Sequence, residues 1–240
     1  MAEQLESTER PLDAATTPVL LILYALIVPS TMGWLGVWVL DNAWFSIILY
    51  ATFGCLLPAY LFRGQRPNPP VFSELAFVTP RYTLPWILLG NLVLLGGFAL
   101  LHPAIMDVQQ IHRDMNTMGL KAGKAMLFFS LYFVFLNPIV EELFWRGTLQ
   151  ASLCNRYPLW LAIGITSVLF GGWHSILIAH FAQPGWILPL TLVITAGGMI
   201  FGWLYYRTGS LLSAILVHGL GADLPIALII FWLACLKPNV

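Results

Sequence analysis

The chain reads as an all-α polytopic membrane protein, a bundle of seven or eight transmembrane helices. Three observations predict this. Hydrophobic residues fill 59% of the 240 positions and charged residues only 9%, where a soluble domain carries about 25% charged. Apolar runs recur at the roughly 20-residue length that a helix needs to cross a hydrocarbon core. No stretch shows the ten-residue alternation of a membrane barrel strand, so helices are favoured.

The elements follow in order. Residues 1–16, "MAEQLESTERPLDAAT", hold four acids and one arginine. A signal peptide needs a positive start and a short apolar core, so this segment is expected to be a retained polar tail. Spans are expected near 18–40, 43–62 and 84–101, which makes 17–122 an N-terminal group of membrane helices. The connectors "RGQRPNPP" (63–70) and 102–122 interrupt it. Further spans are expected near 124–149, 159–182, 186–206 and 210–235, forming a core over 123–236. The last contains "HGLGADLP". Pro225 has no N–H for the carbonyl of Gly221, so a break here would raise the count to eight.

Orientation follows from the loops. With the N-terminus inside, Arg10, Arg63, Arg66, Arg81, Arg156 and Arg207 lie on the inner side, and Arg113, Lys121, Lys124 and Lys237 on the outer. The excess places the N-terminus in the cytoplasm of a multi-pass cell-membrane protein. A net charge of zero removes any basic-tract argument for nucleic acid. Cys55, Cys154 and Cys235 have no metal-ligand spacing and read as small core residues.

An ionisable group at membrane depth costs at least about 2.5–3.5 kcal/mol on insertion scales, so each one needs a reason. The candidates are Glu141, Glu142, Arg146, His174, His218 and Asp223. In "NPIVEELFWRGTL", Glu142 and Arg146 are four apart on one helix face and can pair. Glu141 is rotated by about 100° and left to point elsewhere. A carboxylate without a charged partner, in a site of low dielectric, suits a general base. A helix-packing network is the alternative, although buried ion pairs stabilise poorly. His174 shares a face with Phe170 in "FGGWH", and His218 follows a turn at Thr208–Gly209 and a capping Ser210. At about 1.5 Å per residue, Glu142 and His218 come out level, with His174 about 10 Å deeper.

Other features carry less. Asp107, His112 and Asp114 form a candidate metal set that a solvated loop explains better. Small residues in "AGGMIFGWLYY", including Gly198 and Gly202, argue for close helix packing.

The pattern Glu141-Glu142-x-x-x-Arg146, then Phe170-x-x-x-His174, then Arg207-Thr-Gly-Ser210 leading to His218, resembles the CPBP family, the CAAX-prenyl endopeptidases and bacteriocin-processing or immunity (Abi) proteins. The resemblance covers about residues 123–223. It implies an intramembrane endopeptidase in which Glu141 activates water, His174 helps to hold that water, Glu142 and Arg146 form an orienting pair, and His218 stabilises the oxyanion. Phe170 and Asp223 are implied oxyanion or substrate contacts. The family's last motif is His-x-x-x-Asn or -Asp, and here Ala222 stands at that position with Asp223 one residue later. In an unbroken α-helix Asp223 is rotated by about 140° from His218 and the site is left one partner short, whereas a break at "GLGADLP" would swing Asp223 in or free the Gly221 carbonyl.

The expected function is therefore cleavage of membrane-anchored or membrane-delivered polypeptides, with the lipid bilayer as solvent and no nucleic acid partner. No cofactor is expected; zinc, held by two histidines and a glutamate, is the alternative, although no HExxH is present. A non-catalytic immunity or partner-binding protein on the same scaffold is the competing reading, favoured by Ala222. A proton- or cation-coupled transporter ranks lower, because the acidic motif does not recur in a second half.

Overall fold

The structure, a computed structural model, describes residues 16–62 and 80–235. The "RGQRPNPP" connector and the polar tail before Thr16 lie outside the described residues. The described chain is helical, without strands. Its helices are α1 (Pro18–Val39), α2 (Ala43–Leu61) and α3 (Pro80–Ile105), the short α4 (Val108–Thr117), and then α5 (Lys124–Cys154), α6 (Leu159–Phe181), α7 (Pro184–Thr208) and α8 (Leu211–Cys235). Seven of them are long and apolar enough to span a bilayer, α4 being the exception.

The break foreseen at "HGLGADLP" does not occur. Residues 211–235 run as one helix that takes up a π-turn at Gly219–Asp223. Similar π segments interrupt α1 at Leu35–Val39, α2 at Tyr50–Leu56 and α5 at Tyr132–Leu136 and Trp145–Gln150. Such turns, which close i→i+5 hydrogen bonds, are found often at functional sites.

Local chemistry sets the helix ends. Asn42 caps α2 by accepting from the N–H groups of Trp44 and Phe45 at 3.0 and 3.1 Å. Gly209, with φ of 67°, ends α7 in the left-handed region. Ser210 then caps α8, accepting from Leu212 at 3.2 Å, as the sequence predicts. Helix α5 continues past the expected residue 149, because Gln150, Ser152 and Leu153 are buried in protein.

Packing divides protein contact from lipid contact. Leu100 on α3 is 81% exposed, which suits a residue that faces lipid. The interior is a core of Leu21, Tyr50, Phe144, Trp145, Phe170, Phe201 and neighbours, drawn from α1, α2 and α5–α8. A second cluster under α4 gathers Ile111, Met115, Met126 and Leu233. There His112 donates from Nδ1 to the carbonyl of Leu233 at 2.9 Å, Asp107 caps α4, and Asp114 accepts from Gln110. Of the candidate metal set, His112 thus joins α4 to α8, while Asp107 and Asp114 bond within α4. One reading of the cysteines needs correction. Cys55 is buried, but Cys154 and Cys235 are exposed, because each is the last residue of its helix.

Candidate active site

The site is built on α5. Glu142 and Arg146 sit one turn apart, and Arg146 Nη1 donates to Glu142 Oε1 at 2.9 Å with both side chains fully buried. The guanidinium also lies over the rings of Phe170 and Phe201, at 4.7 and 5.2 Å from their centroids. Its Nη2 donates to the carbonyl of Gly198 at 3.0 Å, and Gln150, one turn on, donates to the carbonyl of Gly202 at 3.0 Å. The two glycines on α7 are needed for this approach. A Cβ at Gly202 would meet Gln150 Oε1 at 2.5 Å, and one at Gly198 would crowd Arg146 Nη2 at 3.3 Å. The small-residue spacing therefore lets α7 carbonyls solvate the α5 side chains.

His218 bridges the two glutamates. Its Nδ1 lies 2.9 Å from Glu142 Oε1, and its Nε2 faces Glu141 Oε2 at 3.3 Å and Asp223 Oδ1 at 3.5 Å. The ring stacks on Phe201, with centroids 4.7 Å apart, and this fixes its plane. Glu141 is 1% and His218 3% exposed, so the carboxyl-imidazole contact is dry apart from whatever enters between them. Among the described residues no hydrogen bond satisfies Glu141 Oε2, despite the nearby His218 ring.

Asp223 reaches this cluster through the π-turn. There the N–H of Leu224 bonds to the carbonyl of Gly219, five residues back. One extra residue is held in the turn, so position i+5 takes the direction that i+4 has in an α-helix. Asp223, five after His218, is brought round to it, and Ala222 is displaced. Asn137, one turn before Glu141, donates to Asp223 Oδ2 at 3.2 Å.

The same turn releases the carbonyl of Leu220, since Leu224 bonds elsewhere and Pro225 has no N–H. Asn91 on α3 supplies the missing donor at 2.8 Å. Helix α3 can come that close because of Gly90, where a Cβ would stand 2.2 Å from the carbonyl oxygen of Gly221.

Helix α2 contributes Tyr50, which is 5% exposed. Its hydroxyl donates to Glu141 Oε1 and accepts from Trp145 Nε1, the latter at 3.2 Å. Its ring stacks on Trp173, with centroids 4.0 Å apart. Glu141 is therefore not unpartnered, as helix geometry alone implies. It has a neutral donor in place of a cation.

His174 stands apart. It contacts the rings of Trp173 at 4.1 Å and Phe170 at 4.6 Å. Its Nδ1 donates to the carbonyl of Phe170 at 2.7 Å, which leaves Nε2 as an acceptor. Among the described residues no hydrogen bond or ion pair joins it to the glutamates; Phe170 links them, lying 5.9 Å from the His218 ring.

The fold thus brings together Glu141, Glu142, Arg146, His218 and Asp223, with Phe170 against them and His174 one turn along α6. Four neighbours escaped the sequence: Tyr50, Asn91, Asn137 and Trp145. Asn91 and Asn137 carried a usable signal, a buried amide inside an apolar span. Tyr50 and Trp145 were lost among the many aromatic residues expected in membrane helices. Among the described residues no group of three or more His, Cys, Asp or Glu is disposed to hold a metal ion.

No curated protein and no solved structure matches the chain. Residues 123–221 match the family model of the type II CAAX prenyl endopeptidase, Rce1-like. That segment contains both glutamates, Arg146, Phe170, His174 and His218, and stops two residues before Asp223. Over that segment the chain is similar to the Rce1-like, CPBP-type family.

Proposed function

We propose that the protein is a glutamate-type intramembrane endopeptidase acting on membrane-anchored or membrane-delivered polypeptides. The observation that carries this reading is Glu141. It is buried and held through Oε1 by Tyr50, while its Oε2 lacks a hydrogen bond and points towards the His218 ring. In the proposed reaction Glu141 takes a proton from a water that His174 helps to hold through Nε2. The hydroxide adds to the scissile carbonyl, and the tetrahedral oxyanion accepts a hydrogen bond from His218. The C–N bond then breaks as the proton on Glu141 passes to the leaving amine, giving a carboxylic acid and an amine, which exchange a proton to leave a carboxylate and an ammonium. Glu142 and Arg146 hold His218 and the helix face in register.

The competing immunity reading drew its support from Ala222. We rank it lower because the π-turn brings Asp223 towards His218. The metal-free route is proposed over zinc because the sequence has no HExxH and, among the described residues, no hydrogen bond or ion pair joins His174 to the glutamates. We further propose a cell-membrane location with the N-terminus in the cytoplasm, as the loop charges suggest.

The test is cleavage of prenylated CAAX peptides, peptide precursors and C-terminal sorting peptides by the purified protein in liposomes. Glu141→Ala is expected to lower kcat/KM by about 10²–10⁴-fold, and chelator to leave the wild type unchanged. Full activity in Glu141→Ala would sink the mechanism. Chelator-sensitive activity restored by zinc would replace it with the metal route, and partner binding without any cleavage would favour the immunity protein.

A further inference from the structure

The family match begins at residue 123, yet the closest hydrogen-bond donor to the proposed base comes from residue 50, far outside it. We infer that Tyr50 on α2 is a positioning residue for Glu141, fixing which of its carboxyl oxygens meets the water. The inference rests on the endopeptidase reading and deepens it, because it makes the N-terminal helices part of the active site.

Four observations converge on Tyr50. Its hydroxyl donates to Glu141 Oε1, which leaves only Oε2 for chemistry. Its oxygen in turn accepts from Trp145 Nε1 at 3.2 Å, so the single hydroxyl hydrogen is committed to Glu141. Its ring is clamped against Trp173, with centroids 4.0 Å apart and planes 24° apart. Trp173 is the chain neighbour of His174 and touches its ring at 4.1 Å. One side chain thus sets the rotation of the base and braces the helix that carries the water-holding histidine.

Tyr50 lies where α2 changes to π-turns at Tyr50–Leu56. A Cβ on Gly54, one turn later, would stand 2.8 Å from the Tyr50 ring, so the glycine gives the ring its place. A structural tyrosine would need only the ring stack. The hydroxyl is explained by Glu141.

The experiment compares wild type, Tyr50→Phe, Trp145→Phe and Glu141→Ala in liposomes. Tyr50→Phe keeps the stack and removes the hydroxyl. It is expected to lower kcat about 10–100-fold with KM within about twofold, the cost of a misplaced base. Infrared difference spectra against Glu141→Gln identify the carboxyl band of Glu141, and that band is expected to shift in Tyr50→Phe. Trp145→Phe is expected to shift it less and to lower kcat about 3–10-fold.

Normal kcat and an unshifted band in Tyr50→Phe, with Glu141→Ala inactive, would overturn the inference while leaving the endopeptidase reading intact. Full activity in Glu141→Ala would overturn that reading instead. If Tyr50→Phe does not fold, Trp145→Phe decides, and an unchanged band with unchanged kcat there overturns the inference.

Discussion

The two halves of the bundle supply different kinds of polar group. Helices α5 and α8 carry the site's carboxylates, its guanidinium and its bridging imidazole, all buried within their apolar spans. Helices α2 and α3 lend only neutral donors, the Tyr50 hydroxyl and the Asn91 amide. The difference teaches how a charged site is completed in lipid. A charge is costly wherever it sits, so charges are grouped where they cancel or do chemistry. The remaining acceptors, one carboxyl oxygen and one released carbonyl, are met by groups that cost less to bury.

That comparison can be broken first at the charged half. Arg146→Ala leaves Glu142 buried without its cation and should cost about 3–5 kcal/mol of stability, read from unfolding in mixed micelles. A loss below about 1 kcal/mol would mean that the α7 carbonyls, not the ion pair, hold α5 in place.

The next effect tests the turn that joins the halves. Asp223→Ala should lower kcat about 10²–10³-fold, the cost of an oxyanion-side partner. Adding Ala222→Asp to that variant should not restore it, because the π-turn directs position 222 away from His218. Rescue by Ala222→Asp would show a regular helix at this point and undo the assignment of Asp223.

The smallest effect belongs to the neutral half. Asn91→Leu strands the carbonyl of Leu220 and should cost about 1–3 kcal/mol, with activity falling because the π-turn loses its clamp. Unfolding and cleavage measured on the same preparation check both parts. An Asn91→Leu loss as large as that of Arg146→Ala would erase the distinction between the halves.

Much of this was legible in the sequence, and the reasons are local. Apolar run length alone located seven spans, since a helix in lipid satisfies its own backbone. The Glu142–Arg146 pair followed from i,i+4 spacing, and the Ser210 cap from its residue type beside a glycine. The same local reasoning misdirected the tail of the site. Regular helix geometry set Asp223 about 140° from His218, and Pro225 suggested a broken helix. Both inferences assumed an α-helix at a point where the chain winds as a π-helix.

By itself, then, the sequence determined the solvent, the class of fold, the helix carrying the paired glutamates and the ion pair along it, because these depend on composition and on contacts within one helix. The tertiary structure alone decided that Glu141 is met by Tyr50, that Asp223 turns to His218 and that Asn91 holds the turn. The physical reason is that the Leu220 carbonyl, released by this π-turn, takes its donor from a neighbouring helix. No residue spacing along α8 can encode a donor that arrives from α3, across a contact that Gly90 keeps open.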